Sequence, residues 1–192
     1  MFSIVIGQPQ KTEDVLKIIR NNAITIDKQK DNALEKKFAQ AKSLERSGLY
    51  EESFSLFTDI NRDQPGIKKY FQPMKNYLKQ TESWDTLLVY TQEYANARNQ
   101  DFQSQLEFLD IYIWIDAESK WQEIAFKLTQ TRITNDNSMK SIIQRLANNG
   151  KYDFAYELLK KYRQKTGSKD FYSIEMGTFF GMRMAYEKAV QE

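Results

Sequence analysis

The chain of 192 residues carries 28 Lys and Arg against 26 Asp and Glu, has neither His nor Cys, and contains only three Pro and seven Gly. Without those two residue types there is no imidazole base, no thiolate nucleophile, no disulfide and no His- or Cys-ligated metal. The balanced charge lacks the concentrated basic face that phosphate neutralisation needs, so nucleic acid is not an expected partner.

Abundant Lys, Glu, Gln, Leu and Ala with few Pro and Gly favour an all-α chain. At the amino end, Phe2-Ser3-Ile4-Val5-Ile6 precedes Gly7-Gln8-Pro9. This reads either as the tail of a secretory signal or as a short apolar end segment, because a complete signal needs a basic region and about 7–15 apolar residues. The lack of Cys is compatible with export from a bacterial cytoplasm and equally with chance. Periplasmic, secreted and cytoplasmic locations all stay open. Residues 12–31 are polar, with one amphipathic stretch at Val15, Leu16, Ile18 and Ile19 that Thr12-Glu13-Asp14 can open as a helix. Residues 1–31 are therefore expected to form a leader, either capping the first repeat or attached only loosely to it.

From Asn32 onward a pattern recurs. Tyr50, Trp84, Trp121, Tyr152 and Tyr186 succeed one another at intervals of 34, 37, 31 and 34 residues. Around the first lie Gly48, Glu51, Glu52, Ser53, Phe57, Ile60 and Pro65; around the fourth, Gly150, Asp153, Ala155, Leu159, Tyr162 and Gly167. Gly suits the positive-φ residue that ends a helix, acids suit the first turn of the next, and a small residue three positions on lets two helices approach closely. Pro65 is placed to stop a helix. Each ring is expected to face the preceding helix and fill the joint between units. Trp84 and Trp121 lack the preceding Gly and are followed by Leu87 and Ile124 at the small position, and the uneven intervals predict a longer loop or helix near residues 101–120. Between them, the apolar stretch 108–115 reads as a central helix covered on both sides. Asn135-Asp136-Asn137-Ser138 lacks the alternating ligands and central Gly of a calcium loop and reads as a turn capping a helix over 139–147.

The Gly48/Tyr50/Ser53/Phe57/Pro65 set and the Gly150/Tyr152/Ala155 set, with Gly177 and Ala189 at small positions, resemble the tetratricopeptide repeat (TPR). The resemblance covers roughly residues 32–192, about five units with the last incomplete. It implies an α-solenoid: antiparallel helix hairpins stacked into a right-handed superhelix, because single hairpins cannot bury their apolar faces alone. Phe179, Phe180, Met182, Met184 and Tyr186 would end in a half-built unit, so further repeats or an effector domain are expected beyond Glu192. A true terminus buried against a neighbour is the alternative.

No catalytic residue, cofactor or metal is expected. Glu107 and Asp110 share a helix face, but acid pairs are common in so charged a chain. No apolar run reaches the roughly 20 residues that span a bilayer. The resemblance implies a scaffold that binds a protein or peptide along the concave face lined by first helices. Carried over from the aromatic markers, that face displays Lys69, Gln72, Asn76 and Lys79, then Leu109, Ile113 and Asp116, then Lys140 and Gln144. The alternative is the docking region of a larger regulator or enzyme. Some members clamp a C-terminal carboxylate with Lys, Asn and Arg on successive first helices. Here the matching places hold Phe38, Lys42, Pro73, Leu106 and Asp110, which predicts no such clamp.

Overall fold

The computed structural model describes residues 9–131, 136–182 and 188–189, and every regular element among them is an α-helix. The chain divides into two compact units, Met1–Tyr77 and Leu78–Glu192.

The first unit holds α1 (Pro9–Arg46), α2 (Tyr50–Asp63) and most of α3 (Lys68–Gln80). α1 runs without a break through the expected leader boundary at residue 31. Its later part packs on α2, where small residues meet: Ala41 and Ser53 are both buried, and the Ser53 hydroxyl donates to the Ala41 carbonyl at 2.8 Å. Phe38 of α1 bridges to α2 and α3, its ring centroid 5.6 Å from those of both Phe57 and Tyr70. In the earlier part of α1, Leu16, Ile18 and Ile19 are more than half exposed. Pro65 comes two residues after the end of α2, as expected. The segment 2–6 lies outside the described residues.

The second unit continues through α4 (Trp84–Ala97), α5 (Phe102–Trp114), α6 (Glu118–Thr131), α7 (Asp136–Asn148), α8 (Tyr152–Thr166) and α9 (Ser173–Met182). α5 packs against α4, α6 and α7, and eight of its residues are buried, which matches the expected central helix. The core runs from Leu106, Leu109 and Ile113 through Trp121, Met139, Ile142 and Leu158 to Met176 and Phe180. α7 already begins at Asp136, so Ser138 lies in its first turn and is not its cap. Asn135 is outside the described residues.

One turn recurs through both units. Gly48, Glu82, Asp116 and Gly150 have φ of 79°, 53°, 52° and 78°, each 34 residues after the last. At every one the same two hydrogen bonds close the preceding helix. The amides of Leu49, Ser83, Ala117 and Lys151 donate five residues back to Leu44, Leu78, Tyr112 and Leu146, at 2.8–3.0 Å. The amide of the positive-φ residue itself donates three residues back in each case. These bonds satisfy carbonyls that a helix end leaves open, and they send the chain directly into the next helix.

The turn corrects the expected register. The second helices open at Tyr50, Trp84, Glu118 and Tyr152, so the interval is 34 throughout and there is no longer loop near residues 101–120. Trp121 is not the counterpart of Tyr50. It occupies the close-approach position with Ser53, Leu87 and Ala155, and all four are buried. Of the marker rings, Trp121 is the one fully buried in a helix joint among the described residues. Tyr50 is 54% exposed, while Trp84 and Tyr152 are half-buried against Trp114 and Phe179. Tyr186 lies outside the described residues.

Candidate partner-binding surface

In the first unit, Lys69, Gln72 and Asn76 stand on α3. The Lys69 ammonium donates to the Glu35 carboxylate of α1 at 2.7 Å and lies 4.6 Å from the Phe38 ring centroid. That hydrogen bond is the main cause holding the Glu35 carboxyl below its usual range, and the Tyr70 hydroxyl adds a second donor. Tyr70 is itself pushed up, first by burial and then by its hydrogen bond to the Glu35 carboxylate. One turn apart, Gln72 donates to the Asn76 side-chain carbonyl at 3.0 Å. The Asn76 side chain is exposed.

In the second unit the expected residues divide. Lys140 and Gln144 lie on α7, with Gln144 exposed and Lys140 half-exposed beside the Phe171 and Tyr172 rings, 5.6 and 5.9 Å from their centroids. The Lys79 ammonium sits 3.7 Å from the Trp114 ring centroid. Leu109 and Ile113, by contrast, are buried in the core, at 0% and 6% exposure. Asp116 is the positive-φ residue of a turn and takes a hydrogen bond from Lys151 at 2.9 Å.

The misplacement has one cause. Using Trp121 as a marker displaces the α5 row by three residues. In the 34-residue register, the counterparts of Lys69, Gln72 and Asn76 on α5 are Gln103, Leu106 and Asp110, and on α7 they are Asn137, Lys140 and Gln144. Gln103 is half-exposed, Leu106 is core, and Asp110 is buried beside Arg145 of α7, with a carboxylate oxygen 3.0 Å from Nε. Sequence reasoning missed Asn137, Gln103 and the Asp110–Arg145 pair. The four-fold recurrence of the turn, visible in the backbone and not in the residues, sets their register.

Around α5 the polar side chains serve the fold. The Asp101 carboxylate accepts the Ser104 amide at 2.8 Å as the helix cap and takes two hydrogen bonds from Arg98. Burial pulls the Asp101 carboxyl up, but the Arg98 and Ser104 hydrogen bonds outweigh it and hold it below its usual range. Among the described residues no group of acids could hold a metal ion, and no helix is long and apolar enough to cross a membrane.

No protein-family profile and no curated protein matches the sequence. Solved structures match the fold. The MamA RS-1 ArsTM double mutant aligns over 82% of this chain and 89% of its own, at 9% identity and a TM-score of 0.50. YrrB, a TPR protein described as having an unusual peptide-binding site, aligns over 81% of this chain and 80% of its own, at 12% identity and a TM-score of 0.43. The fold is TPR-like: sequential helix pairs closed by one turn at a 34-residue period.

Proposed function

We propose that the chain is a non-catalytic scaffold that binds a peptide or protein partner through the first helices of its repeats. The observation that carries this reading is a polar row repeated at equivalent positions. Lys69, Gln72 and Asn76 on α3 correspond to Asn137, Lys140 and Gln144 on α7, each set one lysine and two amides, exposed or half-exposed. Amide side chains both donate and accept, so such a row suits the alternating N–H and C=O groups of an extended peptide. The His- and Cys-free composition and the structural use of the α5 acids favour binding over chemistry.

A displayed random-peptide library selected on the intact protein tests the reading. Selected peptides should lose at least about fivefold in affinity against Gln72→Ala/Asn76→Ala or against Lys140→Ala/Gln144→Ala, roughly 1 kcal/mol for the lost hydrogen bonds. Peptides that bind both variants as tightly as the parent would reject the first-helix rows as the docking surface.

A further inference from the structure

A cavity of about 460 Å³ opens in the second unit between the second helices α6 and α8. α8 packs mainly on α7 and α9, so it does not close against α6 along its length, and Met139 of α7 shows in the gap. The lining is sorted by polarity. Phe126, Met139 and Leu158 supply apolar surface, while Lys161 and Lys165, one turn apart on α8, stand at the rim with Thr129 of α6.

Three features distinguish this gap from an accidental cleft. Phe126 is a large ring left 43% exposed on a helix whose other apolar residues are mostly covered. The Lys161 ammonium lies 5.7 Å from its centroid, so the charge is held over the apolar floor. Finally, none of the described lining residues is acidic, and among the described residues neither lysine has a carboxylate partner. Nearby Asp136 is engaged by the Tyr162 hydroxyl, which donates to it at 2.7 Å. The α6 lining is also particular to this repeat. One repeat earlier, Gln92, Ala95 and Asn96 stand where Phe126, Thr129 and Gln130 stand here.

An apolar floor beneath two lysines with no carboxylate partner among the described residues selects a ligand with the opposite arrangement, and the volume is that of a small recognition pocket. We propose that this gap is a second peptide-binding site, which takes a large apolar side chain into the floor and pairs a neighbouring acidic side chain with Lys161 and Lys165. It is built from second helices and does not depend on the first-helix rows.

The test is an NMR titration of the ¹⁵N-labelled intact chain with the blocked peptide acetyl-GEDFDG-amide. Two control peptides accompany it: GQNFNG, which keeps the ring without the charges, and GEDADG, which keeps the charges without the ring. The expected result is saturable shifts of the Phe126, Thr129, Lys161 and Lys165 amides with the first peptide, at least about tenfold weaker with either control. Lys161→Gln/Lys165→Gln should weaken binding by about tenfold, the combined loss expected of two exposed charge pairs, with an unchanged helical CD spectrum. Raising the salt should weaken the parent complex in the same direction. Absence of saturable shifts at those amides, equal binding of the amide-substituted peptide, or indifference to the double substitution would overturn the proposal. Saturation by sodium octanoate with none by the peptide would also overturn it. Shifts confined to α3 or α7 would overturn this site while leaving the first-helix reading standing.

Discussion

The outer turns at Gly48 and Gly150 and the middle turns at Glu82 and Asp116 adopt one backbone from different sequences. All four have positive φ, and all four close the helix behind them with the same pair of hydrogen bonds. Two use the residue that enters this conformation freely. The other two place a side chain there at a cost of about 1 kcal/mol each. What recurs is the demand of the helix end for hydrogen-bond donors and of the next helix for a direction. Residue identity sets only how costly the turn is. The middle turns are therefore as regular as the outer ones, although their residues hide this.

The largest test of that equivalence concerns the position five residues after each turn. Trp121→Ala should cost about 3–5 kcal/mol, because the ring is buried at the close approach of α5 and α6 and stacks edge-on to Phe154 at 5.0 Å. Tyr50→Ala, at the exposed opening position, should stay within about 0.5 kcal/mol. Equal losses in urea unfolding would restore Trp121 to the marker register.

A smaller effect separates the turns themselves. A Cβ at Gly150 would meet open space, so Gly150→Ala isolates backbone strain and should destabilise by about 1 kcal/mol. Glu82→Gly should run the other way, raising stability by a few tenths of a kcal/mol, since relief of strain outweighs the added freedom of the unfolded chain. A destabilised Glu82→Gly would mean that its side chain does more in the turn than occupy it.

Much of this architecture was legible in the residues. Tyr50, Trp84 and Tyr152 open second helices, Gly48 and Gly150 make the turns, and Ser53 and Ala155 sit where helices meet, because these residues obey the physical preference of their sites. The third unit inverts two of those preferences. It places Glu118 at the opening position and a bulky Trp121 at the close approach, so the ring passed for a marker and the α5 row moved by three residues. The α3 and α7 rows escaped that error because their markers were genuine. The gap between α6 and α8 left no trace in periodicity, since it depends on how far apart two non-adjacent helices sit.

One hydrogen-bonded turn recurs every 34 residues, at four places among the described residues, regardless of what occupies it. Scalar couplings transmitted across hydrogen bonds read this directly by NMR. Couplings are predicted from the Leu49, Ser83, Ala117 and Lys151 amides to the Leu44, Leu78, Tyr112 and Leu146 carbonyls. Couplings at Leu49 and Lys151 with none at Ser83 and Ala117 would contradict it.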